Sequence, residues 1–206
     1  MPLAFECRQP GLAALTFDDG PSSHFATVLD TLNTHAAPAT FFVLGEHLEN
    51  PAKVELLNQA VMAGHQIENH GWNHARFSTL TNAELVEQVV STAAIILDRL
   101  GIGTRFVRPP HGDIQIEQGI PIWDLGYGIA LWNGNPADYS QRPPDAIVRD
   151  IDAAVGQSDA TTDSFIVLLH DSSPTSATKL GEIITIFRSH GYTLVTYDNC
   201  VDAGVE

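Results

Sequence analysis

Short apolar runs alternate with longer stretches in which apolar residues recur every three or four positions. Seven of the short runs read as strands, at 14–17, 39–44, 66–69, 105–108, 129–132, 165–169 and 192–196. Four of the longer stretches read as helices. One spans 54–62, bracketed by Pro51 and Gly64. Another opens on a capping box, Thr81-Asn82-Ala83-Glu84, and sets Leu85, Val89, Ala93, Ile96 and Leu100 on one face before Gly101. A third follows Pro143-Pro144, and a fourth follows Ser176 and ends near Gly191. This alternation predicts an α/β fold, a mostly parallel sheet covered by helices, either open or closed into a barrel. No repeat, low-complexity segment or linker interrupts it, so a single domain spanning 1–206 is expected.

Composition narrows the chemistry. Ten basic against 25 acidic residues give a net charge of -15, with no basic run for phosphates, which argues against a nucleic-acid partner and favours a neutral or cationic substrate. No apolar stretch reaches the length of a membrane span, and a monomer is expected. The start, MPLAFECRQPG, lacks the charged-then-apolar layout of a secretion signal, so the expectation is that any signal has been trimmed. Two cysteines, Cys7 and Cys200, lie near opposite ends. They read equally well as separate buried thiols or as a disulfide clasping the termini.

The unusual polar residues collect where strands end. Asp18 and Asp19 follow the first strand in TFDDGP, and His70 and His74 follow the third in NHGWNH. Arg108 ends the fourth in VRPPHGD; Asn133, Asn135 and Asp138 follow the fifth in LWNGNPADY; His170 and Asp171 follow the sixth in VLLHD. In parallel α/β folds that edge is where catalytic sites are built. His70 and His74 have two-ligand spacing, and a carboxylate from another strand end completes a set that leaves a zinc position open for water. That is a use for adjacent carboxylates: one binds the metal, its neighbour takes a proton from water, and the cation offsets their repulsion. Arg108 is suited to orient the base and His170 to protonate a leaving group.

TFDDGP, HGWNH, RPPHG, NPADY and LLHD, in that order, resemble the five motifs of the NodB-type polysaccharide deacetylases, carbohydrate esterase family four. The resemblance runs from about 14 to 197, and the opening segment with its lone terminal cysteines is most similar to fungal chitin deacetylases. It implies a distorted (β/α)7 barrel and a zinc-dependent hydrolase, with another divalent transition metal such as cobalt an alternative. By the family pattern Asp18 is the base, Asp19, His70 and His74 hold the metal, Arg108 partners the base and His170 is the acid. The His111 backbone N–H supports the oxyanion, Leu168 and Tyr139 shape the acetyl pocket, and Cys7 pairs with Cys200. The implied reaction removes N-acetyl groups from β-1,4-linked N-acetylglucosamine chains, chitin first, in a secreted or cell-wall location. Peptidoglycan, acetylated xylan and an impaired carbohydrate-binding protein are the alternatives.

Three positions depart from the pattern: Gly71 replaces a Ser or Thr, His111 a Tyr, and Asn135 the first Asp of the fourth motif. If that first position supports the acid histidine, Asn135 lowers the pH at which His170 loses its proton. Trp72 and Trp132 are equally readable as sugar-stacking platforms or as packing, and Trp123 as core. Glu68 is given no catalytic role, Asp171 is read as a loop tie, His24 as a loop residue, and His35, His65 and His190 as helix-end residues; His47 lies outside the motifs.

Overall fold

The computed structural model describes residues 3–140 and 142–202; the outermost residues of the expected 1–206 domain lie outside them. Among the described residues there are eight strands: β1 Leu3–Ala4, β2 Leu12–Gly20, β3 Thr40–Val43, β4 Gln66–Asn69, β5 Phe106–Val107, β6 Gly128–Ala130, β7 Phe165–His170 and β8 Thr193–Val195. They pair in the order β1-β6-β5-β4-β3-β2-β7, all parallel, with β8 on β2. Just past β6, Gly134 bridges Val167, and the Asn133 and Gly134 amides donate to the Ile166 carbonyl. That contact closes the sheet into a barrel. The distortion lies at β2: β7 runs along one side of it, while β8 takes Leu12–Ala14 and β3 takes Thr16–Gly20 on the other.

The helices are α1 Phe25–Thr34, α2 Pro51–Met62, α3 Asn82–Leu100, α4 Ile116–Asp124, α5 Pro144–Gly156, α6 Pro174–Ser189 and α7 Tyr197–Asp202. The expected distorted (β/α)7 barrel is the observed fold, and the Thr81 capping box forms as expected, with Gly101 closing α3 in a left-handed conformation. Helix α6 starts three residues earlier than expected, because Ser173, not Ser176, caps it by accepting from the Thr175 amide. Helices α1, α4 and α7 were not signalled. His24 makes no side-chain cap for α1, α4 contains Gly119 and Pro121, and α7 has only six residues. Among the described residues no helix is long and apolar enough to cross a membrane.

Strand parity divides the side chains. Along β2, Ala13, Leu15 and Phe17 join the layer between barrel and helices, with Phe41 and Val43 of β3 and Val167 and Leu169 of β7. Their alternates point inward: Ala14, Phe42 and Ile166 pack in the barrel with Phe106 and Tyr197. By the same alternation Thr16 and Asp18 face the interior, where both meet Arg108.

At the N-terminal end of the barrel, Tyr197 of α7 sets its ring against Phe42 and Phe106. Three residues on, Cys200 is bonded to Cys7, closing the two ends of the chain across 193 positions. A loop of that length removes roughly 5 kcal/mol of unfolded-state entropy in the chain-entropy model.

Candidate active site

The site forms where β2, β4, β5, β6 and β7 all end. Asp18 and His170 lie directly across from each other in the β2–β7 register. A register shift at Asp18/Gly20 and a positive φ of 68° at Asp19 turn the second carboxylate out of the strand, so the two neighbours point to different tasks. His74 and His111 also adopt left-handed conformations, at φ 60° and 62°. Three non-glycine residues in that region round one pocket mark a place where strain is tolerated for geometry.

Arg108, fully buried, donates from Nη1 to Asp18 Oδ1 at 2.8 Å and to Thr16 Oγ1 at 2.7 Å. Its guanidinium lies 4.0 Å from the Phe42 ring centre and 5.6 Å from that of Trp132. Arg108 is thereby held flat and Asp18 fixed by it. Asp18 Oδ2 is left facing His70 Nε2 at 3.6 Å.

His70 donates from Nδ1 to the Arg108 carbonyl at 2.8 Å, which assigns the Nε2 lone pair to the pocket. Asp19 Oδ1 lies 3.3 Å from His70 Nε2 and 3.2 Å from His74 Nε2, and this buried oxygen has no hydrogen-bond partner. The ligand atoms of Asp19, His70 and His74 all fall within 4.8 Å of one another. Two imidazole nitrogens and one carboxylate oxygen, converging in one pocket, fit a divalent transition metal of the zinc type. Burial alone would raise the Asp19 carboxyl, but its contact with His70 and the charges of His70, His74 and His170 bring it down to about 2. Burial pulls His74 below the ordinary histidine value, and the neighbouring His70 and His111 rings add to this against the pull of Asp19.

His170 corrects one expectation. Its Nδ1 is 2.8 Å from Asp138 Oδ1, and its backbone amide donates to Asp138 Oδ2, also at 2.8 Å. Asn135 instead turns back to accept from the Ala137 amide and does not touch His170. His170 therefore keeps a carboxylate partner, and Asn135 makes no contact with it through which to lower its pKa. Burial works against the charged imidazole, but the Asp138 hydrogen bond and the charges of Asp138, Asp18 and Asp19 outweigh it and raise His170.

These groups line a cavity of about 420 Å³ with His111, Trp132, Asn135, Tyr139, Leu168 and Ser172. The rings of His111 and Tyr139 lie edge-on against those of His74 and His170, at 4.5 and 5.6 Å between centres. Trp132 forms one wall because Gly112, at φ 65°, has no Cβ; one there would lie 2.7 Å from the indole. Trp72 packs away from this cavity, against Gly45. Asp171 does tie loops together, its Oδ2 accepting from the Ser22 amide at 2.6 Å.

Two contacts escaped the sequence. Asp138 was named with Asn135 in the same motif, but not as the partner of His170, and the clue favouring it was that an imidazolium needs a carboxylate rather than an amide. His47, which lies outside the motifs, reaches the Gly20 carbonyl with Nδ1 at 3.0 Å, and no local pattern announces that contact.

A model of the polysaccharide deacetylase family matches residues 6–118, more than half of the chain. The chain is 34% identical over 187 residues to the peptidoglycan-N-acetylglucosamine deacetylase PgdA of Listeria monocytogenes, covering 90% of this chain and 38% of that protein. It thus spans about two-fifths of the length of the Listeria relative. Over 204 residues it is 29% identical to the chitin deacetylase of Colletotrichum lindemuthianum, covering 95% of this chain and 82% of that one. The solved structure of the Colletotrichum enzyme superposes with a TM-score of 0.91 at 28% identity, covering 98% of this chain and 91% of that one. The chain belongs to the polysaccharide deacetylase family.

Proposed function

We propose that this protein is a zinc-dependent hydrolase that removes N-acetyl groups from β-1,4-linked N-acetylglucosamine chains, chitin oligomers first, releasing acetate. The observation that carries the reading is one cavity holding an arginine-paired Asp18, an Asp19–His70–His74 ligand set and a carboxylate-paired His170. When bound by Asp19, His70 and His74, a zinc ion supplies Lewis acidity, polarising the acetyl carbonyl and making a water easier to deprotonate. Asp18, oriented by Arg108, accepts that proton. His170, kept protonated by Asp138, donates from Nε2 to the departing nitrogen. The His111 N–H serves the developing oxyanion, while Leu168, Tyr139 and Trp132 wall the acyl group and Asn135 lines the sugar side. The products are acetate and a glucosamine unit.

Similarity to the Listeria enzyme keeps peptidoglycan as the second reading. The net charge of -15 favours chitin, since peptidoglycan carries its own negative charges. A secreted or cell-wall location follows from such a polymer and from the Cys7–Cys200 disulfide, which fits an oxidising compartment. The test is acetate release from N-acetylglucosamine oligomers and from peptidoglycan fragments, after chelation and after zinc is restored. Zinc-restored release from the oligomers supports the reading, and release from peptidoglycan alone moves it to the second substrate. No release from folded, zinc-loaded protein on either would leave a different acylated polymer such as acetylated xylan, or a carbohydrate binder.

A further inference from the structure

The turn after β2 is gripped from both neighbouring strands. β2 lies between β3 and β7. From the short 3-10 helix Gly45–Glu49 that follows β3, His47 Nδ1 reaches the Gly20 carbonyl at 3.0 Å. From the end of β7, the buried Asp171 Oδ2 accepts from the Ser22 amide at 2.6 Å. Asp171 also lies against Gly20 so closely that a Cβ there would come within 3.1 Å of its carboxyl. Between strand and grips stands Asp19, a non-glycine residue at φ 68° whose Oδ1 has no hydrogen-bond partner of its own. A conformation of that kind persists only where its surroundings over-determine it.

We propose that His47 and Asp171 are positioning residues that clamp the Asp19–Gly20–Pro21–Ser22 turn and so hold the Asp19 carboxylate against His70 and His74 for the metal. Neither side chain lines the cavity; each acts through backbone atoms on the far side of Asp19. The inference rests on Asp19 being a metal ligand, and metal affinity reads it without any turnover.

The experiment measures zinc binding by competition with a chromophoric chelator, alongside thermal unfolding of the zinc-free protein. His47→Ala and Asp171→Ala should each bind zinc at least about ten-fold more weakly, the range in which groups that orient metal ligands act. Their double variant should lose less than the two losses combined, because both act on one turn. His47→Asn keeps a donor and Asp171→Asn an acceptor, so both should stay within about threefold of wild type.

Wild-type affinity in the alanine variants, with only the unfolding temperature lowered, would make the contacts merely structural and overturn the clamp. A loss in Asp171→Asn equal to that in Asp171→Ala would show that charge, not the grip on Ser22, matters, and would overturn it too. If Asp171→Ala fails to fold, His47→Ala decides alone, because His47 is only half-buried, on a short 3-10 helix. Asp19→Ala is the control: undiminished zinc binding there would overturn the ligand assignment and the clamp together, whatever the substrate.

Discussion

The barrel buries ionisable groups at both ends, and the ends treat them in opposite ways. At the C-terminal end Asp18 is 3% exposed; toward the N-terminal end Glu68 is 2% exposed. Asp18 faces a guanidinium, whereas Glu68 accepts only from neutral groups: the Arg105 and Phe106 amides and the Gln66 side chain. Burial accordingly pushes Glu68 up to about 7, against the pull of those hydrogen bonds. The histidines divide likewise. His170, beside Asp138, is raised, while His65, with no charged partner, is lowered by burial. Depth of burial is the same at both ends, so it does not distinguish a reactive site from a structural one. The charge of the partner does.

The comparison breaks first at Asp18. Asp18→Asn keeps the shape and an oxygen for Arg108 but removes the proton acceptor, so kcat should fall about a thousand-fold with folding unchanged. An activity loss under tenfold, measured as acetate release, would remove Asp18 from the role of base. Glu68 should behave in the converse way. Glu68→Ala strands two backbone N–H groups and the Gln66 amide, costing roughly 2–4 kcal/mol in urea unfolding. Glu68→Gln should cost only about 1 kcal/mol, since its oxygen still serves Arg105 and Phe106. Neither should change activity per folded molecule more than about twofold. A large activity loss in folded Glu68→Gln would join the two ends into one functional unit.

This contrast also marks what could be read beforehand. The strand ends announced themselves because parallel strands place their following residues on one edge, and TFDDGP, NHGWNH, VRPPHGD and VLLHD all sit there. β2 was legible for the same reason, an apolar run halted by acids. The contacts that are not local in sequence stayed hidden. His170 finds Asp138 across 32 positions and His47 finds Gly20 across 27, set by strand order rather than by spacing. Position in the chain alone left the Cys7–Cys200 bond open between two readings and only the family resemblance implied it; the barrel brings both cysteines to one end. Asn135 misled because two candidate partners stand in one motif and only the loop's turn decides which faces inward.

His65 offers a pH-dependent way to sharpen the comparison. Its Nδ1 accepts from the Ala39 amide and its Nε2 faces Asn33 Oδ1, both at 3.2 Å, so protonating Nδ1 would set a proton against an N–H. The folded state thus resists a proton that the unfolded chain accepts near the ordinary histidine value of about 6.5. The stability His65 contributes is present above that pH and lost as pH falls through the lowered folded value. Glu68 acts in the other direction: its raised value stabilises below the unfolded carboxyl range, and that stability is lost as pH rises through about 7. The wild-type slope is therefore a sum, and the readout is a difference. His65→Asn, which keeps an acceptor for Ala39, should lose less stability than wild type between pH 7.5 and 5 in urea titrations. Equal losses would show that His65 does not titrate with unfolding.

The smallest expected effect is at Asn135. Its side chain accepts from Ala137 two residues on and leaves His170 to Asp138. A carboxylate in its place can accept the same amide, so Asn135→Asp keeps the turn that aims Asp138 inward. The new charge would stand at the cavity edge rather than against the imidazole, where solvent screens it. The alkaline limb of the acetate-release profile should then move little and kcat should stay within about twofold, whereas Asp138→Asn should cut kcat by at least about a hundredfold. A clear upward shift in Asn135→Asp would show that the loop's first position reaches the acid histidine during turnover, and that the 135–138 turn rearranges when substrate binds.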